Sequence, residues 1–420
     1  MYPFTDLPMS RRAFYRAVFA CMAGMLCLNK QGRGGTIERS VQADLTAGEK
    51  AAGALITTGR AAAESIERGS THNQMKPRVV SVRAAGIITP GFQPARYLDH
   101  IDRERADRAV AEGICSISGA RDLRQAWLAV LQDYQDGDRI AIKPNFNHLN
   151  HGLRYTITSP QLINAVIKQL VEIVGVPAKN IYVYDLCKKI PADIVRNSIF
   201  YSVQYVERND QTTLVDKVKT RLFSGLASAD RTAPITMRER IVDEQGAPVT
   251  CYLPKVLTQA EHLINMPLLT NHEFILNSGA LKNHFGTVRF SNHNSYPAAL
   301  HGDVLVRSIT DINRNSHIQQ KTRVVIADGI FGVFDRGEGP GKSPWKTFNS
   351  AFPERILISK DPVAVDSVMA SMVARERTMR KLVDRSHDYL ADAEENGLGT
   401  FEFAPNGRTF SRIEYLEVNV

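Results

Sequence analysis

The apolar positions of the chain fall into short runs that alternate with stretches of helical spacing. Val79-Val80-Ser81-Val82 reads as a strand, residues 121–134 carry Leu123, Ala126, Trp127, Val130 and Leu131 at helical intervals, and residues 138–143 predict a short buried strand. Ser159 is a natural N-cap and Pro160 a natural first residue for an amphipathic helix running to about Val174, with a strand following over 181–184. Residues 201–260 are less regular; β-rich pieces at 201–206 and 249–253 predict an insertion. The rhythm then resumes with a strand at 262–265, helices near 275–283 and 299–313, strands at 323–327 and 355–359, and a helix over 363–379. Repetition at a period of 20–50 residues, the mark of a solenoid, is missing from the sequence. The alternation predicts an α/β fold: mixed or mostly parallel sheets flanked by helices, in two lobes around a cleft, with a β-rich insertion. The expected divisions are an N-terminal segment 1–43, a linker 44–76, a first lobe 77–200, the insertion 201–260, a second lobe 261–380 and a C-terminal segment 381–420.

Five of the predicted strands finish in polar groups: Lys143-Pro144-Asn145, Asp185, Asn265, Asp328-Gly329 and Ser359-Lys360-Asp361. Were these strands all parallel, their tips would share the sheet edge where open α/β folds place ligands. Turns are polar in any case, which accounts for each tip singly; five together favour a shared cleft. Six of the eleven histidines fall between His262 and His317. Among them, Lys282-Asn283-His284 sits between Gly279 and Gly286, glycines that would admit a close backbone approach to a ligand. The spacing of these histidines matches no single-helix metal pair, and a lone histidine is usually structural. Asp361-Pro362 has the form of a helix cap, whereas Asp366, five residues on, calls for another role.

Composition narrows the classes. Hydrophobic residues make up 43% and charged residues 23% of the 420, the balance of a chain that buries its own core. The five cysteines form no C-x-x-C pair, so no iron–sulfur cluster is expected. Residues 1–43 account for half of the formal net charge of +8, and the remainder carries no dense basic cluster, which disfavours nucleic-acid binding. Arg11-Arg12 ahead of the short apolar stretch 17–28 predicts a twin-arginine export signal. The expected location is the periplasm or, with the segment uncleaved, the outer face of the cytoplasmic membrane. Gly337-Glu338-Gly339-Pro340-Gly341-Lys342-Ser343 lacks the first glycine of a nucleotide P-loop, and no nucleophile elbow or dinucleotide fingerprint is present.

The series Lys143-Pro144-Asn145, Gly279 to His284 with Gly286, Ala327-Asp328-Gly329, the glycine-rich turn 337–341 and the run from Ser359 to Asp366 resembles the domain of unknown function 362 family over about residues 138–375. Some members carry a ferredoxin-type segment whose cysteines this chain lacks. A distant fold-level likeness to lactate racemase implies lysine and histidine facing a cleft.

The resulting expectation is a small anionic substrate neutralised by Lys143 and Lys282 and oriented by Asn145, Asn265, Asn283 and Gly286. His284 would be the acid or base, poised near neutrality by Asp185 and Asp328, with Asp328 in the catalytic set. This is the chemistry of an acid–base or metal-assisted isomerase or lyase. A divalent metal on Asp328, Asp366 and His293 is a secondary expectation, and a non-catalytic cofactor or metal carrier outside the cytoplasm is the rival.

Overall fold

The computed structural model describes residues 76–93, 99–146, 157–187, 190, 201–207, 225–243, 245–292, 297–334 and 344–420. The export segment, His293 and the glycine-rich turn 337–341 lie outside the described residues. Short runs of β-branched and aliphatic residues build a nine-stranded sheet among them: β1 (Arg78–Arg83), β2 (Ile140–Pro144), β3 (Ile181–Asp185), β4 (Gln204–Glu207), β7 (His262–Met266), β8 (Leu268–Thr270), β10 (Thr322–Val333), β11 (Arg355–Ser359) and β12 (Glu414–Asn419). A second sheet of three strands takes β5 (Ala229–Pro234), β6 (Cys251–Pro254) and β9 (Arg289–Phe290). The fold is α/β, with a mostly parallel mixed sheet between helices.

Across the main sheet the order is β12-β1-β11-β10-β7-β2-β3-β4, with β8 beside β10. β2 pairs in parallel with both β3 and β7, and β10 in parallel with β7, whereas β11 runs antiparallel to β1 and to β10. Two expectations change as a result. Strands from 77–200 and from 261–380 share one sheet, joined by the pairing of Ile140 with His262 through Pro144 with Met266, and Met75–Val420 forms one compact unit. Because β11 is reversed, Ser359 lies beside Val325, and Lys360-Asp361 leave at the edge opposite the tips of β2, β3 and β7. The expected insertion is divided as well: β4 completes the main sheet, while β5 and β6 make the small one.

Period-2 alternation sends the sheet's side chains to two different cores. Ile140, Ile142, Ile181, Val183, Ile264, Val324, Ile326, Ile356 and Ile358 face α1 (Arg103–Ser118), α2 (Leu123–Leu131) and α3 (Pro160–Lys168). Ala141, Tyr184, Leu263, Val325, Ala327 and Leu357 face α4 (Ala280–Asn283), α5 (Leu305–Asn313), α6 (Pro362–Met379) and α7 (Asp388–Glu395). Helix α1 is not evident from large apolar residues because its buried stripe is small: Ala106, Ala109, Val110, Gly113 and Ile114. A Cβ on Gly113 would come within 2.3 Å of Ile358 Cδ1, so the small stripe is what lets α1 lie close on the sheet. Among the described residues no helix is long and apolar enough to cross a membrane.

Candidate functional site

Lys143 follows Ala141 on β2 and so emerges on the face opposite the isoleucines, where it is fully buried. Its ammonium pairs with Asp185 Oδ2 at 3.0 Å and donates to the Pro144 carbonyl at 2.7 Å. Asp185 also accepts from the amides of Phe146 and Cys187. A cation and a carboxylate this deep are tolerable only because each is paired and hydrogen-bonded. Gly286 leaves room for the pair: a Cβ there would lie 2.9 Å from Lys143 Nζ and 3.1 Å from Asp185 Oδ1. The close approach expected at this glycine is therefore to the ion pair rather than to a ligand.

Two asparagines carry the network onward. The Asn283 amide donates to the Lys143 carbonyl at 2.9 Å and to Asn265 Oδ1 at 2.8 Å. Asn265 Nδ2 in turn donates to the Ala280 carbonyl at 2.9 Å and faces His284 Nε2 at 3.3 Å. With the Asn265 amide as donor, Nε2 is the acceptor, and the proton sits on Nδ1, which meets Thr287 Oγ1 at 3.2 Å; Thr287 reaches the Tyr184 hydroxyl at 3.1 Å. Burial, reinforced by the Lys143 charge, pushes the imidazole down to about 3. The expectation of a histidine poised near neutrality is thus overturned: Asp185 is neutralised by Lys143, and His284 feels desolvation and a cation.

The segment holding these side chains is fixed from outside. Asp366, one turn into α6, accepts from the amides of Ala280 at 2.5 Å and Leu281 at 3.0 Å. A Cβ on Gly279 would come within 2.0 Å of Asp366 Oδ1, so glycine is required there. Burial raises this carboxyl to about 7. Asp361 is the cap its sequence suggests, accepting from Val363 and Ala364, with its second oxygen on the Thr400 amide.

Other expected residues sit elsewhere. Asp328 follows Val324 and Ile326 toward the α1–α3 face, and its oxygens accept from the amides of Ser159 at 2.8 Å and Ile330 at 3.0 Å. It holds the start of α3, whose Ser159 makes no side-chain cap, and does not join His284. The Asn145 backbone N–H donates to Thr158 Oγ1 at 2.8 Å, and its carbonyl accepts from the Thr158 amide at 2.9 Å. Lys282 is buried with its ammonium 4.6 Å from the Phe285 ring centroid, and its charge, after burial, helps to hold His301 down at about 4. The metal expectation does not fit: the oxygens of Asp328 and Asp366 serve separate pairs of backbone amides, and among the described residues no three His, Cys, Asp or Glu converge on a metal position.

A cavity of about 240 Å³ reaches this network. Asn265 and His284 line it together with Asn313, Gln319, Thr322 and Lys360. Thr287, Tyr184, Asn313 and Gln319 escaped the sequence reading. Only Thr287, three residues after His284 and hence one turn on, carried a readable signal.

No curated protein matches the chain. The model of the family described as Domain of unknown function (DUF362) matches residues 140–371, more than half of the chain. That span holds Lys143, Asp185, Asn265, Asn283, His284 and Asp366, and the chain belongs to this family.

Proposed function

We propose that this is an exported α/β enzyme that binds a small anionic molecule in the cavity beside His284 and moves a proton on it, as an isomerase or lyase does. The observation that carries the reading is the cavity of about 240 Å³, which is lined both by a lysine, Lys360, and by the Asn265–His284 pair. Lys360 would supply the cation by leaving its 3.4 Å contact with the Ala129 carbonyl, since the charge of Lys143 is already matched by Asp185. Lys143, Asp185 and Asn283 are positioning residues: they fix the Asn265 amide and through it the imidazole tautomer. A neutral imidazole in a dry site can accept a proton, and an anion bound beside it would raise its affinity for that proton by offsetting the lysines. Lys282 lies beside Phe285 and His301, close in sequence to the imidazole but turned to other partners.

The test is a panel of small carboxylates and phosphates screened by calorimetry and for turnover on the full chain, with Lys360→Gln, Asn265→Ala, Lys282→Ala and His284→Gln alongside. At least one anion binds the wild type, Lys360→Gln weakens it about tenfold, and His284→Gln abolishes turnover. Lys282→Ala leaves affinity and turnover unchanged, whereas folded Lys360→Gln, Asn265→Ala and His284→Gln with both unchanged would overturn the reading. Export is tested by fractionation: Arg11→Lys/Arg12→Lys retains the protein in the cytoplasm, and unaltered export would remove that part of the proposal.

A non-catalytic carrier is favoured by one observation, that His284 is already hydrogen-bonded through both ring nitrogens and held neutral, as in a rigid binding frame. Ligand binding without turnover across the panel would select it.

A further inference from the structure

A second, smaller cavity of about 70 Å³ lies near the outer strands of the sheet, away from His284. Three arginines line it from three parts of the chain: Arg355 at the start of β11, Arg375 on α6 and Arg408 in the C-terminal segment. Gly407, at a φ of +65°, makes the turn that brings the chain back against α6, where a Cβ would meet the Ser371 carbonyl at 3.3 Å. Glu417 is the one acidic residue in the lining, and its carboxylate takes Arg355 Nη1 and the Tyr415 hydroxyl.

Charges in this cavity do not balance. Arg355 Nε is buried without a hydrogen-bond partner, although the Nη1 of the same guanidinium also reaches Ser81 Oγ at 2.9 Å. Arg375 is half-buried on α6 with no carboxylate three or four residues away on that helix, and among the described residues its side chain makes no hydrogen bond or ion pair. Arg408 stands exposed at the rim, where its charge helps Arg355 to hold the Glu417 carboxyl low. Three guanidiniums against one carboxylate leave two positive charges facing a cavity of about 70 Å³. Like charges gathered from distant segments are unfavourable unless an anion joins them, and guanidinium forks match the oxygens of a tetrahedral oxyanion.

We propose that this cavity is a phosphate site, taking a phosphate dianion either free or as the head of a phosphate monoester. Arg375 and Arg408 clamp its oxygens, Arg355 Nε takes a third, and Phe348 and Tyr415 border it with aromatic surface. Glu417 orients Arg355 and sets the limit of one dianion by supplying the only opposing charge.

Calorimetric titration of the full-length protein with inorganic phosphate and, separately, with glycerol 3-phosphate tests this. One equivalent binds to the wild type, and Arg375→Gln/Arg408→Gln weakens that equivalent about tenfold or more while the melting temperature without phosphate does not fall and, with the repulsion relieved, rises. Arg408→Gln alone, at an exposed position that does not bear on folding, gives a smaller loss, and Arg408→Lys keeps part of the affinity. Tighter binding of the ester identifies a monoester as the ligand, and equal binding identifies the free anion. Absence of binding to the wild type at millimolar phosphate, or an unchanged stoichiometry and affinity in the double variant, overturns the proposal.

Discussion

The two faces of the main sheet are built by the same strands yet differ in kind. On the α1–α3 face nearly every strand contributes an isoleucine or valine, and the packing is uniform and aliphatic. On the opposite face the same strands present Ala141, Lys143, Tyr184, Leu263, Asn265 and Ala327, a mixture of small, aromatic and polar groups. Close packing of like residues leaves no room; small residues beside hydrogen-bonded polar ones leave the cavity that reaches His284. One face thus holds the sheet rigid so that the other can keep a buried ion pair and two amides in register.

The strongest way to break this comparison is Asp185→Asn, which leaves Lys143 charged and unpaired in the interior. We expect a loss of about 3–5 kcal/mol by chemical denaturation, most of it recovered in Lys143→Met/Asp185→Leu. A smaller loss at both single and double variants would mean that the pair is not held away from water.

Neighbours on β7 give the next test, since Ile264 and Asn265 point to opposite faces. Ile264→Ala should cost about 2–5 kcal/mol through the cavity it leaves and should not alter ligand affinity. Asn265→Ala should cost about 1–3 kcal/mol, by stranding the Asn283 and His284 groups it serves, and should impair binding. Equal effects on binding would erase the functional distinction between the faces.

The pH dependence sharpens the picture because two buried groups on the polar face pull in opposite directions. His284 titrates near 3 in the folded chain and near 6.5 when unfolded, so stability falls as pH drops below 6.5 toward 3. Asp366 titrates near 7 when folded and near 3.8 when unfolded, so stability falls as pH rises from about 4 to about 7. His284→Gln should flatten the acid limb and Asp366→Asn the limb approaching neutrality, each by up to about 1.4 kcal/mol per pH unit, read from denaturation midpoints across pH. The smallest effect is expected outside both faces. Glu104→Ala removes an exposed partner 3.9 Å from Arg108, and stability should change by no more than about 0.5 kcal/mol.

Strand positions were legible in the sequence wherever alternation was strong: β2, β3, β7 and β11 lie within a residue or two of where the apolar runs put them. The helix expected over 275–283 contracts to Ala280–Asn283, since its start depends on a carboxylate, Asp366, that is remote in sequence. α1 was not evident because alanine and glycine carry little hydrophobic signal although they pack closely. Of the site, Lys143, Asn265, Asn283, Gly286 and His284 do come together, with Asp185 beside them, whereas Asp328 serves the other face.

Residue type and period by themselves determined which segments become strands, that they belong to an α/β chain, and that polar groups stand at strand tips. Local patterning fixes those because a side chain's alternation and a cap's hydrogen bonds involve only near neighbours. Tertiary structure alone decided the direction of β11, the face on which each tip emerges, and the ionisation of His284 and Asp366. Those depend on pairing between distant segments and on removal from water, and neither quantity is carried by a single stretch of sequence.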